Sequence, residues 1–429
     1  MLLGLGVGLS FLILVYCVFN QLSLALALCL CWLIFAGLAL REQPLSVLLQ
    51  AAWQGAKTSF GVIKTLLLIG ATIGVWMAAG TIATIVNTAM VWLDPHWFVL
   101  LAFVVCAVVS SIIGTSLGTV SVVGLPLMLI AKSGQGHLNL VAGAIMAGIY
   151  FGDRCSPMSS SASLVATVTG TKLFRNIRTM FATAWGALAL SLLSYGWLSW
   201  RYPLAQVNQH MLTHLQQQFQ LSPWLLLPAA LVLGLSLLRR PLFEAIGVSI
   251  LTAFLQGLLI QHVSLLALLQ AGLLGLHQGG LISGGGVISM VSPVIIVFLS
   301  CSIAGILNQL EQLQTLKQRL TLPANRPLTR YGITVLLSLI ASMIGCNQSV
   351  AVVMTNSLVQ QNYPQDQSVL AAELENTSIL IAPLIPWNIA AFVPITVLGT
   401  SFAGYLPYAF YLYLVPLLFV RRKWHHKKA

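Results

Sequence analysis

Carboxyl groups are scarce in this sequence, and three of them interrupt long apolar segments. The 429 residues include eight Asp and Glu residues, and Asp153, Glu373 and Glu375 stand within hydrophobic stretches. An ionisable group inside an apolar span is costly and marks a functional site by default. A buried carboxyl group can hold a proton or a metal cation, so the chemistry we expect is an exchange of protons for a small cation. The other carboxyl groups lie in predicted loops or at helix ends: Glu42, Asp94, Glu244, Glu311 and Asp366.

Hydroxyl and amide side chains gather around these interruptions and after two glycines, Gly114 and Gly345. Hard oxygen ligands of this kind suit Na⁺, whereas the N-termini of interrupted helices suit an anion. Asp153 and Glu375 are the predicted Na⁺ ligands and the predicted carriers of the exchanged proton. The complete predicted ion- or substrate-binding site is Asp153, Ser156, Ser159, Ser160, Ser161, Thr115, Ser116, Asn347, Gln348, Glu375, Asn376, Thr377 and Asn388.

Structural explanations compete with this functional interpretation. Arg154 adjoins Asp153, and an ion pair between them would fix the chain at this point without any titration during transport. Single serines also favour close packing of helices, as does the Gly-x-x-x-Gly pattern at 114–118. Packing explains the whole run of hydroxyl groups between 156 and 163 less well than it explains any one of them.

The composition requires an apolar solvent around most of the chain. Hydrophobic residues make up 58% and charged residues 7% of the sequence, against about 25% charged residues in soluble domains. Apolar runs recur along the chain and are long enough to cross a bilayer core of about 30 Å as helices. We therefore predict an all-α polytopic membrane protein with about ten transmembrane helices plus two re-entrant hairpins, arranged in two inverted repeats.

The net charge of +12 follows the positive-inside rule and does not indicate nucleic-acid binding. The basic residues fall in short loops between apolar spans, which places those loops and both termini in the cytoplasm. The expected location is the cell (inner) membrane, with the lipid bilayer as partner and no nucleic acid. The basic clusters are at 41–64, 172–178, 239–240, 317–330 and 421–428.

The interrupted stretch 138–171 is flanked by basic residues on both sides. We expect the span near 98–131 to be one crossing that ends at a cytoplasmic Lys132, and the cluster at 172–178 is also basic. A helix that enters, breaks and returns to the same side satisfies both flanks. We therefore predict a re-entrant hairpin at 138–171, whose non-helical tip must lie within protein or line a wet cavity.

The second half resembles the first but with inverted charge. The loop at 94–96 has no Lys or Arg, whereas its counterpart at 317–330 has four. Conversely, the loop that contains Lys132 corresponds to the loop at 360–368, which has no Lys or Arg. Chance similarity between Leu-rich runs is the alternative. The predicted organisation is an N-terminal helical hairpin 1–40, a first inverted repeat 41–200 with its re-entrant hairpin at 138–171, a connecting loop and helix 201–242, a second inverted repeat 243–420 with its re-entrant hairpin at 370–394, and a basic cytoplasmic tail 421–429.

The residues give no support for an enzyme or a resident cofactor. A P-loop and a zinc motif are absent from the sequence, and GTSLG at 114–118 lies in an apolar span without the strand-to-helix context of a nucleophile elbow. An intramembrane protease is the enzyme alternative, but the apolar spans contain no second deep aspartate and no His-x-x-x-His. The seven cysteines show no metal-ligand spacing. We therefore expect a transporter without a cofactor, whose suspected cargo is Na⁺ and H⁺.

Five sequence stretches resemble the NhaC-type Na⁺/H⁺ antiporter family, within the larger ion-transporter superfamily. The resemblance covers roughly residues 40–420. The stretches are LIGATIGVW at 68–76, GTSLGT at 114–119, YFGDRCSPMS at 150–159, APLIPWN at 382–388 and YLPYAF at 405–410.

The resemblance implies two re-entrant hairpins that meet at a midplane cation site, with transport by alternating access. Relatives move a transport domain against a scaffold and are often dimeric, which makes a homodimer one expectation. Family members typically have aspartate where this chain has Ser160, Asn347 and Asn376. A site with less negative charge suits Na⁺ together with an anionic or zwitterionic solute. The main alternative is therefore Na⁺- or H⁺-coupled exchange of a small organic acid or amino acid.

Overall fold

The computed structural model describes residues 2–20, 22–204, 217–276, 284–308 and 327–425. These ranges form helices, with one isolated antiparallel bridge between Leu276 and Gly284. The all-α prediction is confirmed for the described residues, as expected because a chain in an apolar solvent must satisfy its backbone groups within helices.

Twenty-three α-helices are numbered here along the described chain. In the first half they are α1 (Leu2–Phe19), α2 (Leu24–Ala39), α3 (Leu45–Lys57), α4 (Phe60–Ala78), α5 (Thr81–Trp92), α6 (Phe98–Ile113), α7 (Ser116–Thr119), α8 (Leu125–Ser133), α9 (Leu138–Cys155), α10 (Ser160–Thr169) and α11 (Leu173–Arg201). They continue as α12 (Leu227–Leu237), α13 (Leu242–Leu259), α14 (Leu265–Leu274), α15 (Gly286–Ser289), α16 (Val291–Asn308), α17 (Pro327–Gly345), α18 (Gln348–Val359), α19 (Gln367–Asn376), α20 (Ser378–Ile381), α21 (Ile389–Leu398), α22 (Phe402–Tyr405) and α23 (Phe410–His425).

Several of these helices are suited to a bilayer. Six described helices are long and apolar enough to cross a membrane, or eight if each of two bent helix pairs counts as one span. The chain is therefore a polytopic membrane protein, as predicted.

The segment from α6 to α8 is a hairpin whose two ends meet. Before α6, the Pro95 carbonyl accepts a hydrogen bond from the Leu204 amide at 3.2 Å. After α8, Gly134 packs against the Leu204 side chain. Between the two arms, Gly114 turns the chain with a φ of +77°. We call α6–α8 the first hairpin, and the end of the molecule where it begins and finishes the Leu204 end.

The helices α9 and α10 form one interrupted helix that leads away from the Leu204 end. The His137 ring, just before α9, contacts the Tyr202 ring with centroids 5.6 Å apart. Thr171, just after α10, accepts a hydrogen bond from Asn176 near the start of α11. Because α11 has 29 residues, and a helix rises about 1.5 Å per residue, residues 137 and 171 lie near opposite ends of a long helix. We call α9–α10 the first broken helix.

The predicted hairpin at 138–171 is therefore wrong. This segment advances from one end of the molecule to the other, and the hairpin is the segment before it, which we expected to be a single crossing. The error follows from Lys132, which we placed on the same side as Lys172. One lysine is a weak topological signal, because the positive-inside rule describes an excess of charge and not single residues.

The second half repeats the plan in the opposite direction. The helices α17 and α18 form a second hairpin, since Arg330 at its start donates a 3.2 Å hydrogen bond to the Asn362 carbonyl just beyond its end. Here Asn356 donates to the Val168 carbonyl at 3.3 Å, so this hairpin begins at the end opposite Leu204. We call it the Arg330 end.

A second broken helix, α19–α21, follows the second hairpin. It bends by 51° at its interruption. A bend of this size does not reverse the chain, so α21 continues in the general direction of α19. It reaches the Leu204 end, where Thr400 donates a hydrogen bond to Asn139 at 3.4 Å. The predicted hairpin at 370–394 is therefore also part of a broken helix that leads from one end to the other.

Corresponding points of the two halves share their backbone geometry. Thr115 and Asn347 follow the turns of the two hairpins, and both have φ −142° and ψ 134°. Gly170 and Gly399 end the two broken helices in the left-handed region, with φ of 66° and 63°. These matches support a repeat whose halves enter from opposite ends.

Basic residues are concentrated at the Arg330 end. Near the Leu204 end the described chain has Lys132 and Arg201. The later part of α4 lies toward the Leu204 end, because Ile73 and Met77 line one cavity with Lys132 and Leu138. The α4 helix therefore begins toward the opposite end, where Lys64 lies over the Phe243 ring at the start of α13. The basic residues that belong to the Arg330 end are Lys64, Lys172, Arg175, Arg178, Arg239, Arg240, Arg330, Arg421, Arg422 and Lys423.

Close packing positions the first hairpin against the first broken helix. A Cβ built on Gly152 would lie 2.3 Å from the Ser110 carbonyl carbon, and one on Gly148 would lie 2.6 Å from the Phe103 oxygen. Ser110 also donates a 2.5 Å hydrogen bond to the Ile149 carbonyl. Glycines therefore allow α6 and α9 to run side by side in the same direction, which brings the hairpin turn to the interruption of the broken helix.

Candidate functional site

The Asp153 carboxylate lies where the two hairpin turns meet the first broken helix. Its Oδ2 accepts hydrogen bonds from Ser116 Oγ at 3.4 Å and from Gln348 Nε2 at 3.2 Å. Its Oδ1 accepts from Ser159 Oγ at 3.3 Å, and Ser161 Oγ lies within 3.5 Å of both oxygens. The side chain is 3% exposed. One carboxylate therefore connects three separate segments of the chain.

The local sequence explains why the helices stop here. A Cβ on Gly114 would lie 2.5 Å from the Met158 carbonyl carbon, so only glycine allows the hairpin turn to approach this closely. Ser159 Oγ caps α10 by accepting hydrogen bonds from the amides of Ser161 and Ala162 at 3.1 and 3.2 Å. It also donates to the Asp153 carbonyl, which a broken helix leaves without an intrahelical partner.

A cavity of about 280 Å³ lies beside Asp153. It extends past Gly61 and Leu242, which belong to the ends of α4 and α13 nearest the Arg330 end. Three polar lining residues that the sequence analysis missed are Thr65, Tyr150 and Ser349. Ser349 continues the polar run after Gly345, but Thr65 is one of two isolated threonines in an apolar helix, so the sequence did not distinguish it. The predicted residues that line the cavity are Thr115, Ser116, Asp153, Ser160, Ser161, Asn347 and Gln348.

Other predicted site residues have structural contacts instead. Ser156 donates to the Ser111 carbonyl at 2.6 Å, which joins the two packed segments. Thr377 donates to the Glu373 carbonyl at 2.7 Å, within its own helix. Asn388 caps α21 through the Ala390 amide at 3.0 Å. None of these three, nor Ser159, is among the residues that line the cavity, so their predicted role as ligands does not extend to this cavity.

Arg154 does not pair with Asp153. No ion pair within the described ranges includes Asp153, so the structural pair considered above is absent. The buried guanidinium points to the other face of the broken helix and contacts neutral groups. Its partners are the Glu375 carbonyl at 3.2 Å, Cys155 Sγ at 3.6 Å, Tyr411 Oη at 2.9 Å, the Met180 carbonyl at 3.3 Å, Thr183 Oγ1 at 2.9 Å and Asn376 Oδ1.

Glu375 and Asn376 lie with Arg154 and not in the Asp153 cavity. Both side chains are fully buried, and neither lines the cavity. The structure therefore does not bring the two predicted Na⁺ ligands, Asp153 and Glu375, together, because Asp153 faces the cavity and Glu375 lies beside Arg154 on another side of α9. The sequence repeat could not predict this difference, because periodicity alone does not give the direction of a side chain beside a helix break.

The chemistry of the cavity suits an alkali cation better than a transition metal. Within the described part of the chain, no group of three or more His, Cys, Asp or Glu side chains is placed to hold a metal ion. Hydroxyl, amide and carboxylate oxygens are hard ligands. With one carboxylate, the cavity provides at most one full negative charge from its lining.

Comparison with known proteins identifies the family of this chain. Residues 148–421 match the model of the Na⁺/H⁺ antiporter family. A Na⁺/H⁺ antiporter NhaC of Alkalihalophilus pseudofirmus is 29% identical over 85% of this chain and 82% of its own. A malate-2H⁺/Na⁺-lactate antiporter of Bacillus subtilis is 26% identical over 94% and 89%. An arginine/ornithine antiporter ArcD of Halobacterium salinarum is 30% identical over 84% and 78%. This chain therefore belongs to the Na⁺/H⁺ antiporter family, whose members are membrane transporters.

Proposed function

We propose that this protein is a secondary active antiporter that exchanges Na⁺, or Li⁺, for protons at the Asp153 cavity. The observation that carries the proposal is the Asp153 carboxylate, which is buried, contacts hydroxyl and amide groups, and has no basic partner among the described residues. Such a carboxylate needs a compensating positive charge. A proton and an alkali cation both provide it, and they exclude each other.

The spacing of the oxygens around Asp153 supports a cation ligand. The hydroxyl oxygens of the cavity-lining Ser116 and Ser161 lie 3.4–3.5 Å from the carboxylate oxygens. This is longer than the usual O–H···O distance of about 2.7 Å. An octahedron of oxygens placed about 2.4 Å from a hard cation has edges of about 3.4 Å. The oxygens are therefore spaced as a small cation requires.

The proposed transport mechanism is alternating access between the two repeats. The cavity lies between the turns of two hairpins that enter from opposite ends, and it extends toward the Arg330 end. Inverted repeats with interrupted helices are typical of carriers whose site lies near the midplane. In our proposal this conformation faces the Arg330 end, and the second conformation opens the same site toward the Leu204 end.

We further propose that the Arg330 end is cytoplasmic in the inner membrane. The concentration of basic residues at this end favours the cytoplasm, and α23 leads there, since Tyr331 donates to the Pro416 carbonyl at 3.0 Å. The C-terminus is then cytoplasmic, and Lys132 lies outside. The cytoplasmic N-terminus stays a prediction.

Exchange of an organic solute is the second candidate function. A cavity of about 280 Å³ exceeds the roughly 30 Å³ that one water occupies in the liquid, so it has room for more than Na⁺. The α7 and α18 N-termini also reach it, through Thr115 and Asn347, and helix N-termini favour carboxylates. The malate-2H⁺/Na⁺-lactate and arginine/ornithine antiporters among the relatives fit this alternative.

Thermal stability of the purified protein distinguishes the two candidates. A ligand at 100 times its dissociation constant stabilises by about 2.7 kcal/mol. We expect Na⁺ and Li⁺ to raise the melting temperature without any organic solute, and Asp153→Asn to abolish the rise. Glu244→Gln, at an exposed position, is the control and should respond as the unmodified protein does. A rise that requires an amino acid or small carboxylate would favour the second candidate.

A further inference from the structure

We infer that Glu375 is a second proton-binding site, separate from the Asp153 cavity, and that its proton is moved in addition to the proton exchanged at Asp153. The inference rests on the proposed antiport and adds a stoichiometry of two protons per Na⁺ to it.

The carboxyl group of Glu375 is buried without a well-formed hydrogen bond. Its side chain has no exposed surface, and neither carboxyl oxygen has a partner in good hydrogen-bond geometry in the described structure. The Arg154 guanidinium faces it, and the Asn176 amide is close enough to contribute a weak hydrogen bond. Burying an ionised carboxylate that accepts no hydrogen bond costs several kcal/mol. This arrangement is therefore the one expected with a proton bound to Glu375.

The surroundings of Arg154 provide a second arrangement for the ionised group. Every hydrogen-bond partner of the guanidinium is neutral, with Tyr411, Thr183 and Asn376 among them. A buried cation without an anion is unfavourable. If Glu375 loses its proton, its carboxylate becomes the missing anion, and the guanidinium must give up some neutral partners to reach it.

A line of polar side chains connects Glu375 with the Arg330 end. Asn176, which faces the carboxyl group, donates to Thr171 Oγ1 at 2.8 Å. The hydroxyls of Thr171 and Thr169 are 2.9 Å apart, and Gly170 beside them is exposed. This line does not share residues with the Asp153 cavity. This polar line gives Glu375 an approach from the Arg330 end that does not cross the cation site.

No other ionisable group of the packed helices accounts for this arrangement. Beyond Arg154, the titratable neighbours are Cys155 and Tyr411, which are neutral as thiol and phenol. On α11, Arg175 and Arg178 are exposed at the helix end. Glu373, two residues away, is faced by Tyr363, which donates a hydrogen bond to it, and by Tyr331. Tyr331 is also close enough to Arg154 to interact with its charge, and as a phenol it adds no charge to the Glu375 site.

Arg154 couples the two proton sites because it is covalently next to Asp153. The two side chains leave α9 on opposite faces, one toward the cavity and one toward Glu375. A movement of the guanidinium toward an ionised Glu375 must therefore be accommodated at the helix break that also holds the Asp153 carboxylate. Coupling between two sites requires such a shared element with two arrangements.

The proton-to-sodium ratio tests the inference. Proteoliposomes are held at zero membrane potential with a tenfold Na⁺ gradient. The pH gradient is then varied until the net flux of Na⁺ and protons stops. Two protons per Na⁺ balance it at about 0.5 pH unit, and one proton per Na⁺ at about 1 unit. We expect about 0.5 unit for the unmodified protein and about 1 unit for Glu375→Gln. Glu373→Gln, which removes a carboxyl group from the same helix, and Glu375→Asp, which keeps one, should stay near 0.5 unit.

The outcomes separate the inference from the proposed function. Equal ratios in the unmodified protein and a transporting Glu375→Gln variant would overturn the role of Glu375 while leaving antiport intact. Absence of any Na⁺-driven proton flux in the unmodified protein would instead overturn the antiport on which the inference rests.

Infrared spectroscopy supplies a readout if Glu375→Gln does not fold. We expect the unmodified protein, and Asp153→Asn, to show the carbonyl band of a buried protonated carboxyl group, and this band should disappear at high pH. A spectrum without that band at low pH, in folded protein, would contradict the inference.

Discussion

Gly114 and Met158 touch through their backbones: a Cβ built on Gly114 would lie 2.5 Å from the Met158 carbonyl carbon. The turn of the first hairpin therefore rests directly on the interruption of the first broken helix. This contact brings Ser116 to Asp153, so the position of the carboxylate depends on a residue that has no side chain.

Replacing Gly114 by alanine should destabilise the protein and disrupt the site. The φ of +77° is strained for alanine, and the new methyl group overlaps Met158, so we expect a loss of about 2–4 kcal/mol. Gly247→Ala is the matched control. Nothing lies within 4 Å of a Cβ at Gly247 in α13, so this change should be neutral or stabilise by up to about 1 kcal/mol. Thermal unfolding in detergent measures both, and equal effects of the two changes would refute the close contact.

Two adjacent serines should respond differently to alanine. Ser159 caps α10 and holds the Asp153 carbonyl, so Ser159→Ala should lower stability by about 1–2 kcal/mol. Ser160 is exposed and lines the cavity. Ser160→Ala should leave stability within about 0.5 kcal/mol but alter the affinity for the transported ion. The melting temperature without and with Na⁺ separates these effects, and a larger loss of stability at Ser160 would contradict the assignment.

The revised topology predicts the accessibility of two exposed glutamines. Gln135 belongs to the Leu204 end and Gln361 to the Arg330 end, and both are exposed. In a background without reactive cysteines, Gln135→Cys should react with a membrane-impermeant reagent added outside intact cells. Gln361→Cys should react only in inside-out vesicles. Reaction of both from the same side would contradict the crossing assigned to the first broken helix.

The helical class and several cavity residues could be predicted because they rest on composition and on polar side chains in an apolar chain. The structure places the run around Asp153 and the amides after Gly345 beside one cavity, and their role as ligands stays a prediction. The direction of each segment could not be predicted from its flanking charges. Lys132 alone reversed the assignment of the first hairpin, while the contacts of Leu204 with Pro95 and Gly134 depend on tertiary packing.

The location of Glu375 was missed for a related reason. Glu375 and Asp153 both stand in interrupted helices, so the sequence made them equivalent. In the structure, Asp153 faces the hairpin turns, while Glu375 faces Arg154 and Asn176. The packing of several segments decides which neighbour covers each face of a broken helix. A local sequence pattern therefore cannot predict it.

Na⁺-driven proton flux through Asp153→Asn tests the central claim most directly. The variant keeps the shape of the side chain but can neither bind a proton nor balance the charge of Na⁺. In proteoliposomes with an internal pH dye, we predict that Asp153→Asn lowers the flux by at least about 100-fold, the effect of losing more than about 2.7 kcal/mol of transition-state stabilisation. Glu244→Gln should keep the flux of the unmodified protein. A flux through Asp153→Asn equal to that of the unmodified protein would contradict the assignment of Asp153 as the exchange site.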